Sequence, residues 1–280
     1  MQNKGSRSLL LLLLTLLLVL VPFLFWRATW FGRRLSDSEI DRYLTSDKPR
    51  LAQHALAQIA ERIIKGEMTA TAAAQWYPRV ASLANHHLTA MRSSVAWVMG
   101  QDNSSQEFHR ALLLLLHDPE VIVRRNAALS LVRFADQCSR EEILAMLHPY
   151  AVRSPDAGVL TFRLGGEDAV SPNTLLATLN TGARGEMEIR SPLPGRVGRM
   201  LVAEGQKVAA GDLIILLAPA PEQVWEALRA LVLVGRPEDL PEVEKLTYPN
   251  DTESGFTEKI RQQANLTAEA IRTNYANFPK

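Results

Sequence analysis

The sequence has a single cysteine, Cys138, and no excess of charge of either sign. One thiol excludes an intramolecular disulfide and any zinc or iron–sulfur site that several cysteines would build. Lysine and arginine together number 31 against 30 acidic residues, a formal net charge of +1. Such a balance creates no long-range field for nucleic acid, so we expect no nucleic-acid partner.

The sequence also lacks the short motifs that mark catalytic and cofactor sites. It has no Gly-x-Ser-x-Gly elbow, phosphate loop or dinucleotide fingerprint. Its histidines are scattered, without a spacing that would put two imidazoles on one helix face, at positions His54, His86, His87, His109, His117 and His148. We therefore predict no catalytic residue, no metal, no cofactor and no small-molecule substrate, and the chain is predicted not to be an enzyme.

What the sequence does contain begins with a long apolar run near the N-terminus. After a basic tail at residues 1–8, an apolar run extends from residue 9 to 31: residues 9–25 are mostly leucine, valine and phenylalanine, and Trp26 and Trp30 lie among arginines at its end. A helix that crosses a bilayer needs about 20 apolar residues, and such aromatic and basic residues collect at its interfaces. The run predicts a transmembrane helix, and a cleaved signal peptide is the alternative, although no small-residue cleavage site follows.

The orientation of this helix is less determined, because Lys4 and Arg7 on one flank meet Arg27, Arg33 and Arg34 on the other. A short basic tail before a long apolar run favours a cytoplasmic N-terminus. We expect a single-pass protein of a bacterial inner membrane, with its soluble part on the extracytoplasmic side.

Residues 36–150 are rich in alanine and leucine at helical spacing. Two similar segments, beginning at Arg92 and Arg124, lie 32 positions apart (124 − 92), each with alanine four residues after the arginine. A period in the thirties is typical of stacked helical hairpins. Residues 112–129, with Asp118-Pro119 at a turn and Arg124-Arg125 after it, resemble a HEAT repeat. The resemblance implies that Asp118 and Arg124 or Arg125 form a structural polar ladder between repeats.

From residue 155 to 219 the composition changes to glycine, proline, threonine and valine in short alternating runs, which predicts a β module. Its two halves superimpose at an offset of 38 (197 − 159), from Val159 on Val197 to Leu179 on Leu217. We therefore expect a sandwich of two related halves. The helical pattern returns at residues 221–278, so the β module interrupts a helical array.

The second half of this β module resembles the biotinyl/lipoyl carrier fold and the related domain of periplasmic adaptor (membrane fusion) proteins. The resemblance rests on the turn and hairpin residues Pro192, Gly195, Gly205 and Gly211 at the family's spacing. Carriers of that family attach their cofactor to a lysine at the tip between the halves. Here Ala183 or Arg184 occupies that position, and neither side chain can be acylated. Adaptors also insert a long coiled hairpin between the halves, which this short tip lacks.

These features predict an α+β protein. It would consist of a transmembrane helix and a HEAT-like α-solenoid interrupted by a lipoyl/biotinyl-like β-sandwich, a flattened barrel. The predicted function is a membrane-anchored, non-catalytic scaffold that binds unknown protein partners. An accessory or adaptor subunit of an envelope transport or secretion assembly is the alternative, and a biotin or lipoyl carrier subunit is a second alternative that the missing lysine disfavours.

Overall fold

The computed structural model describes residues 13–23, 33–67, 70–248 and 258–276. The chain divides into two compact units, residues 1–58 and residues 59–280. Helices and two antiparallel sheets make up the described residues, which confirms the mixed helix and sheet class expected from the sequence.

The first unit contains helix α1 at residues 13–23, α2 at Asp37–Leu44, and the beginning of α3 at Pro49–Ile64. Helix α2 begins with a capping box, because the Ser36 hydroxyl accepts from the backbone N–H of Glu39 while the Glu39 carboxylate accepts from that of Ser36. This reciprocal pair satisfies two backbone donors that the first turn leaves without helical partners.

Within the described ranges, no helix has both the length and the apolar character to cross a membrane. The span predicted for residues 9–31 is described only over 13–23, where it is helical, and the rest of it lies outside the described residues.

Helices in the second unit come in pairs, a shorter helix followed by a longer one. The shorter members are α4 (Ala70–Ala73) with α5 (Tyr77–Ser82), α7 (Gln106–Leu115), α9 (Arg140–Ala145) and α11 (Leu240–Glu244). The longer members are α6 (Thr89–Met99), α8 (Val121–Val132), α10 (Pro221–Val234) and α12 (Glu258–Ala276). The longer helices pack in sequence order, α6 on α8, α8 on α10 and α10 on α12. This arrangement confirms a helical-repeat fold.

The β module lies between the two helices of one pair, α9 and α10, and the helical core closes around the interruption. One buried cluster contains Ala128 and Ile143 before the insertion and Leu228, Val243 and Ile271 after it. Two polar contacts also join the two sides: the ion pair of Arg140 with Asp239, and the hydrogen bond from Arg125 Nη1 to Gln223 Oε1 at 2.9 Å. The insertion therefore leaves the stack of helices continuous.

Two glycines at helix ends allow the long helices to approach closely. A Cβ at Gly100, after α6, would lie 2.4 Å from the Ser130 Oγ of α8, and one at Gly235, after α10, would lie 2.8 Å from Ile271 Cδ1 of α12. Gly100 is the C-cap of α6, and its φ of −69° is helical. Close packing, rather than backbone conformation, accounts for glycine at this position.

The β module consists of two four-stranded antiparallel sheets. The strands are β1 (Tyr150–Arg153), β2 (Gly158–Phe162), β3 (Ala169–Val170), β4 (Leu175–Asn180), β5 (Glu186–Arg190), β6 (Gly195–Met200), β7 (Lys207–Val208) and β8 (Leu213–Pro219). Their orders are β1-β8-β6-β3 and β5-β4-β2-β7. Adding or subtracting four from each strand number turns one order into the other, so the two halves of the module are related by a two-fold exchange and share one core.

The offset between the halves is not uniform. Leu160, rather than Val159, is the buried counterpart of Val197, an offset of 37 (197 − 160), whereas buried Leu179 matches Leu217 at the expected 38. The register explains the difference, because β6 contains a bulge at Gly198 opposite β8, and β2 pairs with β4 without one. The sequence alignment of Val159 with Val197 was therefore wrong by one residue.

Candidate functional site

The Asp118-Pro119 turn lies between α7 and α8, and the Asp118 carboxylate joins two neighbouring helical pairs. It accepts from Arg92 Nε at 2.6 Å and from Arg92 Nη2 at 2.9 Å, and it also accepts from the backbone N–H of Glu120 at 2.9 Å. Both side chains are largely buried, with 5% of Asp118 and 13% of Arg92 exposed. A forked, buried ion pair of this kind fixes the distance and orientation between the helices it joins.

The same contact pattern recurs one repeat later. Arg92 Nη1 donates to the carbonyls of His86 and His87, and Arg124 Nη1 donates to those of Asp118 and Pro119, each 32 positions on (124 − 92). Arg92 pairs with the carboxylate of Asp118. Arg124 pairs with the carboxylate of Glu142, whose Oε2 lies 3.2 Å from Arg124 Nε.

Arg125, buried beside Arg124, contacts Gln223 and does not contact Asp118. Ser139 and Glu142 have the spacing of a capping box before α9, but the Ser139 side chain caps no backbone N–H there. Glu142 instead lies beside both arginines.

A second series of contacts was missed by the sequence analysis. The Tyr77 hydroxyl donates to Asp102 Oδ2 at 2.6 Å, and His109 Nε2 lies 2.6 Å from Asp136 Oδ2. Each aspartate also accepts from the backbone N–H two residues further on, as Asp118 does. The side chains that meet the aspartates differ, tyrosine in one repeat and histidine in the next, which explains why similarity between repeats did not show the link.

These carboxylates titrate below their usual range. Burial alone would raise the pKa of Asp118, but the bonds from Arg92 and from the Glu120 N–H outweigh it, and the net pKa is lowered. The pKa values of Asp102 and Asp136 are lowered as well, since hydrogen bonds again outweigh burial. All three are held as carboxylates at neutral pH.

The tip between the two halves of the β module is a short turn at Gly182–Arg184. Ala183 lies at its centre, and the Arg184 guanidinium pairs with the Asp156 carboxylate. That pairing lowers the pKa of Asp156, after the larger effect of the Ala157 N–H. Arg184 is 77% exposed.

The turn glycines predicted in the β module have two different roles. Gly205 and Gly211 have φ of +72° and +86°, a conformation that glycine adopts without strain. Gly195 begins β6 instead of forming a turn, and a Cβ there would lie 2.2 Å from the Ala218 carbonyl oxygen of β8. Gly158 is the equivalent residue in the first half, and a Cβ there would lie 2.6 Å from the Asn180 carbonyl oxygen.

The residues before these two glycines form a duplicated motif, Arg-Ser-Pro-x-x-Gly, at 153–158 and 190–195. Each half makes the same three bonds. Arg153 Nη1 donates to the Gly211 carbonyl at 2.8 Å and Arg190 Nη1 to that of Asn173 at 2.7 Å. The backbone N–H groups of Ser154 and Ser191 donate to the backbone carbonyls of Asp212 and Thr174, respectively. The hydroxyls of the same two serines donate to the backbone carbonyls of Asp156 and Leu193. The motif was visible in the sequence at an offset of 37, but the alignment at 38 concealed it.

Strands β1 and β5, the equivalent terminal strands of the two sheets, line an open groove with a volume of 570 Å³. Its lining contains residues of both strands, including the two arginines of the duplicated motif, and the two prolines that follow the strands. These residues are Tyr150, Ala151, Val152, Arg153, Pro155, Glu188, Ile189, Arg190 and Pro192. Pro192, one of the turn residues that carry the resemblance, thus lies at the groove with its counterpart Pro155. This groove is a candidate binding site.

The described histidines, cysteine and carboxylates form no group of three that could hold a metal ion. The one cysteine, Cys138, is exposed, and its hydrogen bond to Asp136 raises the pKa of the thiol.

No family model matches this chain, and no curated protein matches it. Two solved structures are similar in part. One is the complex of CpcE and CpcF of phycocyanin lyase from Nostoc sp. PCC7120, at 12% identity and a TM-score of 0.47, covering 88% of this chain and 68% of that one. The other is a single-chain, multi-domain long-chain acyl-CoA carboxylase, at 20% identity and a TM-score of 0.25, covering 35% of this chain and 10% of that one.

The prediction that this chain is not an enzyme is corrected by the first of these similarities. The similar complex is named for a lyase, which conflicts with that prediction. At these identities and TM-scores, neither structure assigns an activity to this chain.

Proposed function

We propose that this protein is a helical-repeat scaffold that binds protein partners and displays an inserted β module to them. The observation that carries the proposal is the place of the insertion. The β module has its own core, and its first and last strands, β1 and β8, pair with each other. The helices before and after it pack as one array. A folded module added at a helix turn enlarges the surface of a scaffold without interrupting it.

Two finer features belong to the same proposal. The exchange symmetry of the strand orders supports the resemblance to lipoyl-like domains. The exposed leucines and valines of helix α1 support a membrane tether at residues 9–31, from which the soluble part would extend on the extracytoplasmic side of a bacterial inner membrane.

A role as an accessory of an envelope transport or secretion assembly is the second candidate. It is favoured by the tip, where Ala183 or Arg184 stands in place of the carrier lysine, because the resembling domain of the adaptor proteins carries no cofactor. A deletion strain whose efflux and secretion are unchanged would argue against this candidate. The intact mass of the purified protein tests the biotin or lipoyl carrier alternative, which predicts the added mass of the attached cofactor.

Site-specific photo-crosslinking in cells tests the scaffold proposal. A photoreactive residue would replace exposed Trp97 of α6 or Leu233 of α10 on the helices, and Val159 of β2 or Met187 of β5 on the module. We expect discrete protein adducts from at least one site in each region. Adducts from neither region would refute the scaffold.

The membrane tether is tested separately. Extraction of membranes with alkaline carbonate should leave the full chain in the pellet and release a variant that lacks residues 1–32. A C-terminal reporter that is active only in the cytoplasm would reverse the proposed orientation.

A further inference from the structure

We propose that the groove between β1 and β5 binds an extended segment of a partner protein that carries an acidic side chain, and that Arg153 pairs with its carboxylate. This inference rests on the proposed scaffold function, since it names one surface through which the scaffold would bind.

The walls of the groove favour an extended peptide. Both are terminal strands of their sheets, and the backbone N–H and C=O groups on the outer side of such a strand can pair with an added strand. β1 has four residues and β5 has five, so each offers an edge about 13–17 Å long. A segment of about four to six residues matches that length.

The charge of the groove differs between its two halves. On the second half, Arg190 has a carboxylate from its own strand, with Nε at 2.8 Å and Nη2 at 2.7 Å from Glu188 Oε2. On the first half, the position equivalent to Glu188 is Ala151, because β1 and β5 pair with their neighbours in the same register. No carboxylate among the described residues pairs with Arg153, whose one assigned bond goes to the Gly211 carbonyl.

The Arg153 guanidinium is therefore available to a ligand carboxylate, and the pair of Arg190 with Glu188 shows how such a carboxylate would be bound. A ligand carboxylate placed near Ala151 would take the position that Glu188 has on Arg190. With Arg153, Arg190 and Glu188 as its charged groups, the groove has a formal charge of +1, which complements one acidic side chain.

The test uses the full chain and blocked hexapeptides of β-branched residues, acetyl-Thr-Val-X-Val-Thr-Thr-amide, in which X is Glu, Gln or Lys. Binding is measured by calorimetry. We expect the Glu peptide to bind about tenfold more tightly than the Gln peptide, as a charge-assisted hydrogen bond provides, and the Lys peptide to bind most weakly.

Arg153→Gln should remove the preference for Glu over Gln while leaving the weaker main-chain binding. Ala151→Glu should also remove it, because the new carboxylate would neutralise Arg153 as Glu188 neutralises Arg190. Arg199→Gln, which removes an exposed arginine of β6 outside the groove, is the matched control and should keep the preference.

Four results would overturn the inference. They are no binding of any of the peptides, equal binding of the Glu and Gln peptides, a preference that survives Arg153→Gln, and binding of glutarate as tight as that of the Glu peptide, which would indicate a small-anion site. Self-association in sedimentation that Arg153→Gln abolishes would instead assign the groove to a second copy. Failure here with discrete crosslinks elsewhere would leave the scaffold proposal standing.

Discussion

The helical repeats and the β module are both built from a repeated pattern, but their repeats are joined by different interactions. In the helices, buried carboxylates connect one pair to the next, as Asp118 does with Arg92. In the β module, the two halves share a single core and are joined by backbone pairing of β1 with β8 and of β4 with β5. Because of this difference, we expect loss of a buried charge to destabilise the helices and loss of close packing to destabilise the β module.

Asp118→Ala should have the largest effect. It leaves the Arg92 guanidinium buried without its carboxylate, and breaking a buried ion pair from one side costs about 3–5 kcal/mol of unfolding free energy. Urea unfolding followed by circular dichroism measures this loss. Glu107→Ala, which removes an exposed carboxylate in the first turn of α7, is the control and should cost less than about 1 kcal/mol. Equal losses in the two variants would contradict a special role for the carboxylate that joins repeats.

Acid should weaken the helices before the β module. The folded-state pKa values of Asp102, Asp118 and Asp136 lie below the ordinary value of 3.8. The stability they contribute is therefore complete above that pH and is lost as the pH falls through the folded-state values. Hydrogen exchange should show protection falling first in α6 and α8, and later in β4 and β8. Earlier loss of protection in the β module than in the helices would contradict this prediction.

The Asp118 variant sharpens this prediction. Asp118→Ala lacks one of the three titrating groups, so its free energy of unfolding should decrease less between neutral pH and pH 3 than that of the wild type. An unchanged pH dependence would show that Asp118 does not contribute to the acid response.

Gly195→Ala should have the next largest effect, and it should act in the β module. Its Cβ would lie 2.2 Å from a backbone oxygen of β8, which cannot rotate away as a side chain can, so β6 and β8 must separate. We expect a loss of about 1–3 kcal/mol in unfolding free energy, with a smaller loss for Gly158→Ala. Gly166→Ala is the control, because nothing lies within 4 Å of its Cβ. A Gly195→Ala variant as stable as the control would refute the close approach.

The sequence predicted the periodic part of this molecule. Apolar spacing predicted helices in residues 36–150 and 221–278, and the long helices α6, α8, α10 and α12 lie in these ranges. The repeat at 32 predicted that Arg92 and Arg124 are equivalent, and their contacts with backbone carbonyls are the same in both repeats. These features are local or strictly repeated, so they leave a signal in a single sequence.

The other features depend on contacts between distant residues that differ from one repeat to the next. The link of Tyr77 to Asp102 could not be inferred from that of His109 to Asp136, because a phenol and an imidazole share only the ability to bond a carboxylate. The bulge at Gly198 changes the offset by one residue, and this concealed the duplicated motif. The groove exists only after the two sheets have folded, so no stretch of sequence records it.

Arg184→Ala should have the smallest effect, although its ion pair with Asp156 is close in space. Arg184 is 77% exposed, and exposed pairs are screened by water and lose side-chain entropy when they form. We expect an unchanged urea midpoint, in contrast to Asp118→Ala, and no change in the peptide preference of the groove, since Arg184 does not line it. A resolvable loss of stability would show that the tip holds the two halves together, and the contrast between charge in the helices and shape in the β module would then have to be abandoned.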